Sequence, residues 1–305
     1  MKKTLIVGTV AYDEIETSKG SSGKILGGAG TYIALATSHF NSKSAIVSVV
    51  GGDFEEKYLK LLESKGVDIS PIEIVSKGKT FYWKGKYHND WNKRDTLSTQ
   101  LNVLAEFSPI VPEEFKSSEI VVLGNLHPLV QTSVLDQMEN KPKCIILDTM
   151  NFWMDNSLTE LMQVISRVDV LVINDEEAKQ LSEQESLFNA AEDILKMGPK
   201  YVVIKKGEHG AMLFGESQFF TSTAFPVKEV IDPTGAGDTF AGGFAGHLSE
   251  SNEINFETLK SAIIYGTVMA SFCVEKFGTA SMENLKKTQI LERLKAFKKY
   301  TTYSI

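Results

Sequence analysis

The segment Ile231-Asp232-Pro233-Thr234-Gly235-Ala236-Gly237-Asp238-Thr239-Phe240-Ala241-Gly242-Gly243-Phe244 places two groups with opposite preferences for negative charge side by side. Gly235-Ala236-Gly237 stands in a loop that opens a helix. Small residues there let backbone N–H groups converge, and the helix N-terminus adds positive partial charge. That is a cradle for an anion. Asp238 falls in the first turn of the same helix. A carboxylate beside an anion cradle repels a bound phosphate, but it has a task if it takes a proton from a hydroxyl that attacks phosphorus. A glycine-rich turn with an acidic helix cap is the plain structural alternative.

Other chemistries fail on their spacing. Gly78-Lys79-Thr80 ends like a phosphate-binding P-loop, but position 73 is Glu73 where the motif needs glycine. Gly28-x-Gly30 runs on to Ile33, so the dinucleotide fingerprint is absent, and no protein-kinase catalytic loop occurs. The five histidines lack zinc-ligand spacing. Cys144 and Cys273, the only cysteines, fall in a strand and a helix and read as buried and inert.

Positioning such a loop takes a scaffold. The 305 residues, 42% apolar and 23% charged, suit an ordinary globular chain. Short Val/Ile/Leu runs at Leu5–Val10, Ala45–Val50, Glu119–Leu123, Cys144–Leu147, Val168–Ile173 and Tyr201–Ile204 alternate with helical stretches such as Thr31–Phe40 and Glu55–Lys65. This pattern predicts an α/β fold with a parallel sheet covered on both faces. Val227–Ile231 reads as a strand end before the glycine loop, Ala211–Phe220 as a hairpin, and Lys286–Tyr300 as a solvated outer helix. One aromatic, alternating region, about 72–108, interrupts the rhythm, and 14–26 could join it. It could pack only, cover a cleft as a lid, or form a homodimer surface. The apolar start at Thr4–Val10 has no cleavage site and reads as a buried strand. With no run long enough for a membrane helix, the expected location is cytoplasmic. The net charge of −7 argues against nucleic-acid partners but is blind to a local anion site made of backbone amides.

The run DPTGAGDTFAGGF resembles the second signature of the PfkB-type, ribokinase-like small-molecule kinases. Gly27-Gly28-Ala29-Gly30 and Val49-Val50-Gly51-Gly52-Asp53 are similar to the first signature. Gly8–Asp13 is similar to the family's first strand end, Asn174-Asp175-Glu176-Glu177 to its N-x-x-E motif, and Lys206-Gly207-Glu208-His209-Gly210 to its nucleotide-side loop. The resemblance implies one ribokinase-like domain over 1–305, a three-layer α/β/α sandwich with a mostly parallel central sheet and a small β lid at about 14–26 and 72–108. It implies ATP- and Mg2+-dependent phosphorylation of a sugar or nucleoside hydroxyl, with Asp238 as catalytic base and Gly235, Ala236 and Gly237 as anion hole. Lys206, Gly207, Gly210 and Thr234 would meet ATP. Asn174 and Glu177 would organise Mg2+ through water, and Asp232 would help hold a monovalent cation such as K+.

For the acceptor the resemblance implies Asp13, Gly27, Gly28 and Tyr32. Asp13 ends the first strand, where open α/β sheets bind ligands, and can accept hydrogen bonds from two sugar hydroxyls. Ala11 and Tyr32 stand where relatives carry Asn, which points away from plain ribose or fructose. Tyr32 could stack on a ring or fill space. Asp148-Thr149-Met150-Asn151-Phe152-Trp153 lacks the Arg of the family's D-P-N-x-R, so no sugar-phosphate clamp is implied. Lys84, Arg94 and Asp95 in the small sheet read as solvated charges unless they meet substrate. A non-catalytic nucleotide- or sugar-binding sensor, and a hydroxymethylpyrimidine- or pyridoxal-type kinase, are the competing readings.

Overall fold

A computed structural model describes residues 2–304. Strands buried over most or all of their length need cover on both faces, and the middle of the central sheet is made of them. In chain order the first elements are β1 (Lys2–Val7), β2 (Ala11–Thr17), β3 (Gly20–Gly27), α1 (Ala29–Thr37), β4 (Ser42–Gly51), α2 (Glu56–Ser64), β5 (Val67–Asp68), β6 (Ile72–Val75), β7 (Tyr82–Tyr87) and β8 (Arg94–Gln100). There follow β9 (Ile120–Leu123), α3 (Pro128–Asp136), β10 (Cys144–Asp148), α4 (Asn151–Asn156), α5 (Leu158–Ile165), β11 (Val170–Asn174), α6 (Asp175–Ser182), α7 (Leu187–Leu195) and β12 (Tyr201–Lys205). The chain ends with β13 (Ala211–Gly215), β14 (Gln218–Ser222), α8 (Ala236–Glu250), α9 (Phe256–Cys273), α10 (Ala280–Glu283) and α11 (Lys287–Thr301).

The large sheet runs β14-β13-β12-β11-β10-β9-β1-β4-β5, with β6 also on β4. It is parallel from β5 to β12 and closes with the antiparallel strands β13 and β14. Along β10, Cys144 and Ile146 face one apolar core while Ile145 and Leu147 face the other. The first core takes side chains from α1, α8 and α9, the second from α3, α5 and α7. That is the expected α/β/α sandwich with a mostly parallel sheet.

Parallel strands under two helical layers put all their C-terminal ends on one edge. Asp148, Asn174 and Lys205 end β10, β11 and β12 on that edge, whereas Asp13, expected at the end of the first strand, lies inside β2 of a second sheet, because β1 already ends at Val7. This sheet, β3-β2-β7-β8, stands over that edge.

Four further local expectations differ from the structure. Ile72–Val75, assigned to the lid region, pairs in parallel with β4 of the large sheet. The Ile-Glu-Ile order alternates in sequence like a lid strand, yet on the shared face Ile72 is buried and Ile74 exposed, since β6 runs out at the edge of the main sheet. The lid strands lie at 11–17, 20–27, 82–87 and 94–100, so β2 begins at Ala11, before the predicted 14. Val227–Ile231 is not a strand: Pro226 removes a ladder donor, and Ile231 N–H instead donates to the Val274 carbonyl at 2.8 Å. The last helix, α11, buries Ile290 and Phe297 and is not wholly solvated.

Candidate active site

Gly235 is the N-cap of α8 and adopts the left-handed region at φ 73°. A Cβ there would be strained by conformation and would stand 2.5 Å from the ring of Tyr32. The chain therefore turns sharply into α8, and its first N–H groups face the strand edge. Ala236 N–H is already engaged, donating to the Pro233 carbonyl at 3.2 Å. Among the described residues, the N–H groups of Gly235 and Gly237 donate to no protein acceptor. Of the three residues expected to form an anion hole, Gly235 and Gly237 therefore have N–H groups free for an anion and Ala236 does not.

Lys205 supplies the side-chain charge. It ends β12 in register with Asn174 of β11, and its Nζ lies 3.0 Å from where a Cβ on Gly237 would be. The same Nζ donates to Asp148 Oδ1 at 2.7 Å; Asp148 is buried and the Lys205 side chain is 17% exposed. Burial opposes the ammonium charge, but Asp148, Glu177 and Asp238 outweigh it and hold the amine above its ordinary pKa. Burial pushes the Asp238 carboxyl up to about 7, with Asp148 adding to the rise and Lys205 and Arg94 opposing it. Glu177 also rises to about 7 through burial, with Lys205 pulling the other way. Three carboxylates and one amine thus share a single pocket of low dielectric.

Asn174 and Glu177 form a reciprocal capping box at the start of α6. Asn174 Oδ1 accepts from Glu177 N–H at 2.7 Å, and Glu177 Oε2 accepts from Asn174 N–H at 2.8 Å. One Glu177 oxygen remains outside this box. No group of three or more His, Cys, Asp or Glu side chains among the described residues could hold a metal on its own.

The 206–210 loop lies beside them. Lys206 N–H donates to the Gly210 carbonyl at 2.7 Å, and Gly207 has φ 51°. A Cβ on Gly207 would stand 2.7 Å from Asn92 Oδ1, so the tip of the β7–β8 hairpin touches this loop. Thr234 Oγ1 donates to Tyr87 Oη at 3.3 Å, a second bridge from the small sheet to the glycine loop. Asp232 is buried and accepts Thr234 N–H and Gly278 N–H, each at 2.8 Å, which ties the glycine loop to the loop after α9. Burial raises its pKa against those two donors.

At the acceptor end, Asp13 Oδ2 accepts the Gly28 N–H at 3.4 Å, and a Cβ on Gly27 would stand 2.0 Å from that oxygen. Burial pushes Asp13 up to about 7; the Gly28 N–H opposes this, and Asp232 and Asp238 reinforce it. Tyr32 is 1% exposed and packed on Gly235, so its ring offers no face to a ligand. Its Oη lacks a hydrogen-bond partner among the described residues.

The structure thus gathers Asp13, Gly27, Gly28, Asn174, Glu177, Gly235, Gly237 and Asp238 along one edge. Of the two lysines ending β12, Lys205 and not Lys206 turns inward. Lys84 points to the other face, held by Glu14 at 2.8 Å and Glu16 at 3.0 Å, and Asp95 pairs with His88 at 2.9 Å. Asp148 entered the sequence reading only as the start of the segment like D-P-N-x-R, and Trp83 and Tyr87 only as part of the aromatic region; the strand register is what brings each of them to this edge.

Known proteins resemble this chain in sequence and fold. A cytidine kinase from Thermococcus kodakarensis is 27% identical over 288 residues, 92% of this chain and 99% of its own. A nucleoside kinase from Methanocaldococcus jannaschii, described as an archaeal member of the ribokinase family, superposes with a TM-score of 0.78 at 22% identity, covering 97% of this chain and 99% of its own. An E. coli protein assigned as a ribokinase II, solved with ATP and Mg2+, superposes with a TM-score of 0.81 at 19% identity over 97% of this chain and 100% of its own. The model of the pfkB family of carbohydrate kinases matches residues 1–286, and the chain belongs to that family of phosphotransferases.

Proposed function

We propose that the chain transfers the γ-phosphoryl group of ATP to a hydroxyl of a sugar or nucleoside, with Asp238 as the general base. The observation that carries this reading is the meeting of Asp238, the unengaged N–H groups of Gly235 and Gly237, and the Lys205 amine at one point. A group that accepts a proton and a cradle that accepts negative charge are both needed for phosphoryl transfer to an alcohol. A protein that only binds nucleotide has no use for the carboxylate.

The residues fit the donor and its metal. Lys206, Gly207, Gly210 and Thr234 line the nucleotide side, with Lys205 at the phosphoryl end. Asn174 and the oxygen of Glu177 outside the capping box suit Mg2+ held through water, an ion that keeps several waters and few protein ligands. Mg2+ there supplies charge neutralisation between the phosphates. Asp13 orients the acceptor hydroxyls beside Gly27 and Gly28, and Asp238 receives the proton of the attacking hydroxyl. Gly235 and Gly237 donate to the oxygens that gain charge, and Lys205 adds its positive field. The small sheet, bridged to the loops at Tyr87–Thr234 and Asn92–Gly207, keeps water from competing as acceptor.

K+ is assigned to the buried Asp232 between the two loops it ties, and is tested by replacing K+ with choline. No helix among the described residues is long and apolar enough to cross a membrane; a cytoplasmic location is assigned on the ATP that the proposed reaction consumes and is tested by cell fractionation. A homodimer through the small sheet is tested by sedimentation. The central test is ADP release from ATP and Mg2+ across sugars, nucleosides and heterocyclic alcohols. Release with sugars or nucleosides supports the assignment; release with heterocyclic alcohols alone, or with none, overturns it.

A further inference from the structure

We infer that the acceptor is a nucleoside and that its base stacks on Trp83, an indole laid along the inner face of the small sheet. This rests on the phosphotransfer reading above. Asp13 and Trp83 are direct partners in the parallel β2–β7 register, so their side chains leave the same face of the sheet, one strand apart. Tyr87 lies four residues further along β7 and on that face too, and it reaches Thr234 of the glycine loop. The face that carries Trp83 is therefore the one that looks across the cleft at Asp238.

The indole does not stand upright. A Cβ on Gly85 would lie 2.1 Å from Trp83 Cη2 and 2.3 Å from Cζ2, so the ring lies across Gly85, in space that only glycine leaves open. Its Nε1 donates to Thr96 Oγ1 at 3.4 Å, and Arg94 Cζ sits 5.8 Å from the ring centroid. Both neighbours come from β8. Thr96 holds the edge of the indole, while Arg94 stands over the ring; Arg94 is itself exposed and has to swing aside for a base to stack on the partly exposed indole.

A monosaccharide bound by its hydroxyls at Asp13 would leave this plane with Arg94 as its one cover. A nucleoside held the same way carries a base next to the sugar, and a flat indole one strand away is a surface on which any base can stack. Tyr32 cannot serve, being enclosed against Gly235. Stacking tolerates different bases because each has a π face, so a broad nucleoside range follows.

The test uses the full chain with Trp83→Ala, Trp83→Phe and Gly85→Leu. The last keeps the indole but denies it the flat position. Cytidine, inosine and ribose are the probes, read by equilibrium dialysis without ATP and by steady-state ADP release, with thermal unfolding as a check on folding. Expected is weaker cytidine and inosine binding by about ten- to hundred-fold in Trp83→Ala and Gly85→Leu, with the loss in KM more than in kcat and substantial recovery in Trp83→Phe. Nucleoside Kd and KM within twofold of the parent in both the alanine and leucine variants would overturn the inference, as would tighter binding of ribose than of either nucleoside. Absence of ADP release with every acceptor would sink the phosphotransfer reading alone, because dialysis still decides the stacking.

Discussion

The ring of Tyr32 lies directly against the backbone of Gly235, with three ring atoms 2.5 Å from where a Cβ would stand. The helix that follows Gly27 and Gly28 and the glycine loop at the start of α8 are thus locked to each other. Gly235→Ala meets both this contact and the left-handed backbone at φ 73°. Strain and overpacking together should lower stability by about 2 kcal/mol or more. Catalytic rate should fall at least tenfold (about 1.4 kcal/mol) as the loop shifts. Urea unfolding and steady-state kinetics check this; an unaltered midpoint would mean that the loop and α1 move apart freely.

Tyr32 itself yields the opposite sign. Its hydroxyl is buried with no protein partner, so Tyr32→Phe removes an unsatisfied polar group. Stability should rise by roughly 1 kcal/mol. If the acceptor uses this hydroxyl, its KM rises in the same variant. Destabilisation by Tyr32→Phe would reveal a hydrogen-bond partner in the folded protein.

Asp238→Asn should cut kcat by about 10²–10⁴, the usual contribution of a general base, and leave nucleotide affinity near the parent value by calorimetry. The parent carboxyl is pushed up to about 7 by burial, so its base form is lost as pH falls below that. The parent kcat should climb with pH and level off above about 7 to 8, and the variant should lose that limb. A variant that keeps the limb would move the proton-accepting role elsewhere.

The chemistry around 231–244 was legible because glycine spacing and a following acid are local in sequence. The sandwich was legible because its strands are uniformly apolar. What sequence could not place were facts of register and direction. Lys205 and Lys206 are adjacent and alike in sequence, yet only the residue in register with Asn174 turns toward Asp148. Ile72–Val75 alternates in sequence like a lid strand, but it pairs with β4 at the edge of the main sheet. Tyr32 was open to stacking until its ring was seen enclosed against Gly235, while Trp83 gained its meaning from a glycine two residues away whose missing side chain the indole occupies.

Lys205 and Asp148 form a largely buried pair that also sets the charge of the pocket. Lys205→Met leaves Asp148 without its partner and should destabilise by about 3–5 kcal/mol. Adding Asp148→Asn should recover much of that, because the uncompensated charge is gone. Lys205 also restrains the rise of Asp238, so any remaining activity of Lys205→Met should show its acid limb shifted to higher pH. Equal stability of the single and double variants would show that the two groups are not coupled.

Asp13 links the acceptor site to pH-dependent stability. Its carboxyl titrates at about 7 in the folded protein against 3.8 ordinarily, chiefly through burial. Between those values the folded state binds more protons than the unfolded state, so stability falls as pH rises through the window and stays low above it. Glu177 and Asp238 act in the same direction. Asp13→Asn removes one such proton while keeping an oxygen for the Gly28 N–H. The variant should therefore be more stable than the parent at pH 8, by up to a few kcal/mol, with the difference shrinking toward pH 4. The same change should weaken acceptor binding, since the carboxylate that would hold two hydroxyls is gone. Denaturant unfolding of both proteins at pH 4.5, 6 and 8 reads the first effect, and a variant whose advantage grows toward acid would reverse the sign argued for Asp13.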